Sequence, residues 1–219
     1  FHAGTVIDIR RDARATLSCL RRDGRLRRLI GMQLLLGMAG AVFPFFVVRA
    51  QQVIGGANEM VGPFLIRQNL GGAAAALVLG NLIDRTGSWL AIRVISVLQT
   101  TCLVVVTLGT LLGLSWPAYL AAYLLLGFVS SGAWWSYTAY ILDIAGERER
   151  PLYLAANGIL LSLNALSSAL MGVFMDLAVP ELLFGIAAFI SVIGMLVAWS
   201  LPKAQQPKST AIATESMEP

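Results

Sequence analysis

Six long runs of apolar residues, separated by short polar turns, dominate the pattern of this chain. Each run has the length of a membrane-crossing helix, about 20 residues, and none shows the strict alternation of a barrel strand. We therefore predict an all-α membrane protein with six transmembrane helices. The predicted spans are residues 29–48, 60–83, 90–113, 118–142, 152–178 and 182–201.

Polar segments flank the predicted bundle, which we place at residues 29–202. Residues 1–28 hold eight of the 16 Lys and Arg residues, and predict either a short amphipathic helix on anionic lipid or a solvated linker. Residues 203–219 are polar and predict a disordered cytoplasmic tail. Because the chain starts at Phe1 and no signal peptide precedes the first span, we expect it to begin inside a larger product.

Composition agrees with a membrane protein, since 57% of the residues are hydrophobic and only 13% are charged. No soluble domain needs so much apolar surface. The net charge of +4 comes mostly from the first 28 residues, and we assign it to contact with membrane lipids rather than nucleic acid. Cys19 and Cys102 lie in different environments, so we expect free thiols.

Basic residues lie on one side of the predicted membrane. Of the bases beyond the first 28 residues, two are in the turn after the second span, two in the turn after the fourth and two in the tail, whereas the opposite side has only Arg49. The positive-inside rule therefore places both ends of the chain in the cytoplasm.

The turn after the second span has a distinctive composition: Gly80-Asn81-Leu82-Ile83-Asp84-Arg85-Thr86-Gly87. Gly80 allows a neighbouring backbone to come close, and Gly87 supports a tight reversal. Asp84 must stay near the headgroups or find a basic partner or a helix N-terminus. An ordinary cytoplasmic turn with two glycines is the alternative interpretation.

This Gly-x-Leu-x-Asp-Arg-x-Gly turn resembles the signature loop of the major facilitator superfamily of secondary transporters. Family members usually carry bases after the second glycine, where this chain has Ser88 and Trp89, and its next base is Arg93. Weaker likenesses are Phe43-Pro44-Phe45, Gly62-Pro63, and residues 143–153 with Asn157 following. The last of these is similar to a pattern common in bacterial members, so we expect the inner (plasma) membrane of a bacterium.

The resemblance implies the C-terminal half of a twelve-helix fold, with a missing N-terminal six-helix half as partner. It also implies transport of a small molecule by alternating access, with the first, second, fourth and fifth helices of the half lining the pathway. Gly80, Asp84, Arg85, Gly87 and Arg93 are then the residues of a conformational-switch turn. A half-size protein acting as a homodimer and a non-transporting membrane scaffold are the alternatives.

Arg67 is a charge within the second span, about 10 Å from its outer end at 1.5 Å per residue. It either faces a wet pathway or an acid such as Asp176, or extends its side chain to the surface. Asn69 beside it favours the pathway.

Other pathway candidates are uncharged. Trp134 and Tyr137 share a face of the fourth span, where membrane-interface packing is the alternative. Asn157, Asn164 and Ser168 share a face of the fifth, where hydrogen bonding between helices is the alternative. Gln33 in the first span is a further candidate.

We find no paired carboxylates, metal-ligand cluster or nucleophile with a base, and therefore expect no enzyme, no metal and no cofactor. No carboxylate lies near the middle of a span. If transport is coupled to H+, we expect the acid that carries the proton in the missing half.

Overall fold

The computed structural model describes residues 20, 22–54, 61–113, 116–177 and 180–203, and gives the backbone alone at 52–54, 116–118, 160, 175–177, 180 and 181. This described part contains helices and no strand, which confirms the all-α class. Its helices are α1 (Gly24–Gly40), α2 (Phe45–Ile54), α3 (Val61–Thr86), α4 (Ser88–Leu112), α5 (Trp116–Ile144), α6 (Arg150–Leu177) and α7 (Pro180–Trp199).

The first predicted span is interrupted. Helix α1 ends at Gly40, and α2 begins at Phe45, directly after Pro44. In the turn between them the amide of Phe43 donates to the carbonyl of Gly40, and that of Phe45 to the carbonyl of Val42, both at 3.0 Å. These bonds reach back three residues, as in a 3₁₀ turn, and proline has no amide hydrogen with which to continue an α-helix. Pro44 therefore accounts for the break in the first span.

Several helices are suited to a membrane. In the described part, four stretches are long and apolar enough to cross one: Gly24–Gln51, Ser88–Leu112, Arg150–Phe174 and Leu182–Trp199. Helices α3 and α5 are long enough, with 26 and 29 residues, but α3 carries three charges and α5 many Tyr, Trp and Ser residues. The count of six spans stays a prediction.

The helices pack in an order that differs from their order in the chain. Helix α3 packs on α5, α5 on α4, α4 on α7, α7 on α1, and α1 on α6. The contact between α3 and α5 is closest at two glycines. A Cβ added at Gly71 would overlap the carbonyl oxygen of Leu124, and one at Gly127 would overlap the carbonyl of Gln68. Small residues thus allow the two backbones to touch, as is common between membrane helices.

The two ends of the bundle are held differently. Helices α1, α4 and α6 start at the same end of the bundle at which α3, α5 and α7 stop. We call it the basic end. There, hydrogen bonds tie the chain segments together, as described below. At the opposite end aromatic rings pack, with Phe46 5.7 Å from Phe184 and Phe64 stacked 4.5 Å from Tyr123, measured between ring centroids. Offset aromatic pairs of this kind bury large apolar areas.

Candidate functional site

A cavity of about 360 Å³ lies between α1, α4, α5 and α6, near the middle of these helices. It brings together five of the residues that the sequence places in a pathway, from three separate helices. They are Gln33 of α1, Trp134 and Tyr137 of α5, and Asn164 and Ser168 of α6. The cavity is therefore the candidate site, with amides and hydroxyls beside aromatic rings.

Two side-chain amides of the cavity contain buried atoms without a hydrogen-bond partner among the described residues. Gln33 is only 2% exposed, and neither its Nε2 nor its Oε1 has a partner among the described residues. Asn164 donates from Nδ2 to the backbone carbonyl of Gln33 at 3.3 Å, while its buried Oδ1 also lacks a described partner. Buried polar groups are almost always hydrogen-bonded, so the lack of a described partner at these three atoms calls for an explanation.

Gly37 allows the two amides to approach each other. A Cβ added at Gly37 would overlap the side-chain amide of Asn164. The amide of α6 therefore lies directly on the backbone of α1, one turn from Gln33. A larger residue at this position would push Asn164 away from the cavity.

Several residues of the lining were not among the predicted pathway residues. Ser130 lies four residues before Trp134 and seven before Tyr137, so helical spacing on α5 was a signal that could have found it. Gln99 was visible as a lone amide in an apolar run. Gly37, Gly40 and Phe43 also line the cavity, and small or apolar residues of this kind give no distinct signal in a membrane helix.

Helix α4 uses its polar residues to bind neighbouring helices. Gln99 donates from Nε2 to the carbonyl of Leu36 in α1 at 2.6 Å. Thr100 shares a hydrogen bond with the hydroxyl of Ser191 in α7, with an oxygen-to-oxygen distance of 2.8 Å. The resemblance implied that the second span lines the pathway and that this third span does not. In the structure, however, the cavity lining includes Gln99 of α4 and no residue of α3. The hydrogen bonds of α4 also show that its polar residues serve in packing.

Three predicted pathway residues lie outside the cavity lining. Arg67 and Asn69 are exposed on α3, and Asn69 donates to the carbonyl of Leu65 in its own helix at 2.9 Å. Asn157 is half-buried on α6, with an Oδ1 that lacks a described partner. The side chain of Asp176 falls outside the described residues, so its pairing with Arg67 stays a prediction.

The glycines of the signature-like turn behave differently from each other. Gly87 precedes α4 with a φ of 94°, in the region that favours glycine, and the predicted reversal is confirmed. At Gly80, however, an added Cβ would meet no atom within 4 Å. The close approach expected there is not made by any described residue, and Gly71 and Gly127 make it instead. Asp84 and Arg85 are exposed, and neither forms an ion pair with a described residue.

Ser88 and Trp89, which stand where the family usually has bases, have contacts of their own. The buried Ser88 hydroxyl donates to Oδ2 of Asp143 at 2.5 Å, and so joins the start of α4 to the last turn of α5. Trp89 lies 4.6 Å from the guanidinium of Arg93, measured to the ring centroid. Arg93 in turn donates to the carbonyl of Trp199 at 2.8 Å. It thereby satisfies a free carbonyl at the C-terminus of α7.

The same end carries a further set of bonds. Tyr153 donates to the carboxylate of Asp23 at 3.0 Å, and Tyr140 to the carbonyl of Pro202 at 3.0 Å. The first bond joins α6 to the start of α1, and the second joins α5 to the segment after α7. The basic end is thus a hydrogen-bonded network between elements.

No model of a known protein family matches this sequence, and no curated protein matches it either. The resemblance to major facilitators therefore depends on the residues of the chain itself. Within the described part of the chain, no group of three or more His, Cys, Asp or Glu residues is placed to hold a metal ion.

Proposed function

We propose that this chain is the C-terminal six-helix half of a secondary transporter of the major facilitator type, which moves a small solute by alternating access. The observation that carries the proposal is the cavity of about 360 Å³ near the middle of four helices. Solute sites of secondary transporters lie near the middle of the membrane. A non-transporting scaffold has no need of unpaired amides at that depth.

The interrupted first span also supports transport. Gly40, the last residue of α1, and Phe43, which lies within the break between α1 and α2, both line the cavity. Discontinuous helices beside the solute site are common in transporters, because the break frees backbone groups and allows one helix segment to move against the other. The 3₁₀ turn at 41–44 is placed for such a movement.

A second half is proposed as partner because one helix is poorly covered. Only 6% of the most apolar segment of α6 is buried, compared with 56% for α4. Helix α6 nevertheless carries polar residues, including the exposed Ser162 and Ser168, which suit a protein or water interface better than lipid. We propose that the N-terminal half covers α6, and a second copy of this chain is the alternative.

Charge distribution supports an orientation. The basic end carries Arg residues at the starts of α1 and α6 and at the turn before α4. By the positive-inside rule this end is proposed to face the cytoplasm of a bacterium, with both chain ends on that side. No carboxylate lines the cavity in the described part of the chain, so H+ coupling would use an acid of the other half.

Access of the cavity from both sides of the membrane tests the proposal without a known substrate. We would replace Cys19 by Ser, keep the buried Cys102, and introduce a thiol with Ser130→Cys. A membrane-impermeant maleimide is then applied to right-side-out and to inside-out vesicles containing the full-length protein. Alternating access predicts labelling at Ser130 in both preparations.

Phe189→Cys supplies the control, because this residue is 67% exposed on the apolar face of α7 and should be labelled from neither side. Labelling of the Ser130→Cys variant from one side only would remove alternating access and leave the scaffold interpretation.

A further inference from the structure

The chemistry of the cavity restricts the solute, and this inference rests on the function proposed above. Gln33 is buried at 2% exposure, lines the cavity and has neither its donor nor its acceptor satisfied by a described residue. A folded chain gains nothing from such an amide, since a buried polar group without a partner is destabilising. A ligand that pairs with it recovers that loss.

Asn164 adds a second polar group beside the first. Its Nδ2 is held by the backbone carbonyl of Gln33 at 3.3 Å, which leaves its buried Oδ1 as an acceptor without a described partner. Together the two amides offer one NH2 group and two carbonyl oxygens that have no described partner. A solute with neighbouring hydroxyl groups, or with an amide group, can pair with both, because such groups donate and accept hydrogen bonds close together.

The lining carries no formal charge. Among the described residues around the cavity none is Asp, Glu, Lys, Arg or His. An ion moved into an apolar setting without a counter-charge loses its hydration without compensation. The cavity therefore favours an uncharged solute over a charged solute of the same shape.

Aromatic rings form another wall. Phe43, Trp134 and Tyr137 all line the cavity, and Trp134 is 68% exposed, so its ring is accessible to a solute. Flat rings suit the apolar face of a cyclic molecule, while amides fix its polar edge. A volume of about 360 Å³ is at the small end of the range for ligand pockets, and indicates a small molecule.

We propose that this cavity binds a small, uncharged, cyclic polar solute, which hydrogen-bonds to the side chains of Gln33 and Asn164 and packs against Trp134. The chemical class includes sugars and neutral heterocyclic amides. Organic anions and cations of similar size find no counter-charge on the part of the site that this chain provides.

Matched sets of charged and uncharged solutes test this solute class on the purified full-length protein in detergent. One set is glucose, gluconate and glucosamine, and another is nicotinamide and nicotinate. Binding is measured as a change in tryptophan fluorescence during titration. We expect the uncharged member of at least one set to bind at least about tenfold more tightly than its charged counterparts. Equal or tighter binding of a charged member, or no response to either uncharged solute, would overturn the proposal.

Two tryptophans localise the signal. Trp134→Phe should abolish the fluorescence response, because its ring lines the cavity. Trp135→Phe should leave it, since Trp135 is equally exposed but lines a separate groove between α3 and α5. Loss of the response in the Trp135 variant alone would place the ligand outside the cavity.

Gln33→Met distinguishes a binding residue from a structural one, because it removes the amide and keeps the shape. We expect affinity for the uncharged probe to fall at least about tenfold, while the melting temperature of the ligand-free chain stays the same or rises. Gln68→Met, on the neighbouring groove, should change neither quantity. A lower melting temperature with unchanged affinity would show that Gln33 is only structural.

The two proposals fail in different ways. Labelling from both sides together with tighter binding of charged solutes would keep the transporter and reject the solute class. Binding of an uncharged probe with labelling from one side would keep the site and reject alternating access.

Discussion

Helices α3, α4, α5 and α7 form a tightly packed side of the bundle, whereas α6 lies at its edge. The difference is clearest between α4 and α6, whose candidate membrane spans both contain 25 residues. In the most apolar segment of each span, 56% of α4 is buried but only 6% of α6. Both helices carry polar residues. Gln99 and Thr100 of α4 reach a carbonyl or a hydroxyl of another helix, whereas the serines Ser162, Ser167 and Ser168 of α6 bond carbonyls of their own helix.

This contrast indicates a division of roles. Interhelical hydrogen bonds in a membrane contribute modestly to stability, about 0.6 to 2 kcal/mol each, and α4 uses them to position α1 and α7. The serines of α6, which bond only their own helix, add little to the stability of this bundle. Groups that stability does not require are the ones that a solute or a second half is free to use.

The largest effect on stability is expected from adding one methyl group to a glycine of the tightly packed side, compared with the same change in α6. Gly127→Ala should destabilise the chain by about 3 kcal/mol, since the new Cβ overlaps the backbone of Gln68 and the helices must move apart. Gly158→Ala on α6 should be neutral or stabilising by up to about 1 kcal/mol, because a Cβ there meets no atom within 4 Å and alanine favours the helix.

Denaturant unfolding in mixed micelles measures both variants. Equal losses of stability at the two glycines would mean that α6 packs in solution as tightly as the rest of the bundle, and the contrast would disappear.

A smaller effect is expected from removing single hydroxyl groups. Thr100→Val should cost about 1 kcal/mol, because it leaves the buried Ser191 without its partner across α4 and α7. Ser168→Ala should change stability by less than about 0.5 kcal/mol, because its hydroxyl is exposed and bonds only the carbonyl of Asn164 in its own helix. The same unfolding assay applies, and a larger loss at Ser168 than at Thr100 would reverse the assignment of roles.

Much of the fold could be predicted from the sequence. Apolar runs bounded by Gly, Pro and charged residues located α3 to α7 to within three residues at either end, whereas the first span proved to be two helices. The reversal at Gly87 followed from glycine in a short turn. Trp134 and Tyr137 were found because helical spacing places them on one face. These features depend on local sequence, which is why they were accessible.

The hydrogen-bond partner of each polar residue could not be predicted in this way. Gln33 and Gln99 are the same residue type in similar apolar runs, yet Gln99 reaches the carbonyl of Leu36 and Gln33 reaches nothing described. The difference arises from packing between segments that are distant in the chain, and the residues around each glutamine do not reveal those contacts. The same reason explains Gly80, where a close approach was expected and a different pair of glycines provides it.

A small effect on stability, with a large effect on binding, is expected at Gly37, where the edge helix meets the bundle. Gly37→Ala places a Cβ on the amide of Asn164, which is the end of a flexible side chain and can rotate away. We therefore expect a loss of less than about 1 kcal/mol in unfolding. Displacing the Asn164 amide should nevertheless weaken binding of an uncharged probe by about tenfold, since an acceptor leaves the cavity.

A double-mutant cycle completes this prediction. Asn164→Ala alone should weaken binding to a similar extent, and Gly37→Ala should then add little, because the side chain that it displaces is already absent. The cycle is measured by fluorescence titration, with unfolding as the parallel assay. If the two losses of binding free energy instead add in full, Gly37 acts on the cavity independently of Asn164, and the contact between α1 and α6 does not position the solute.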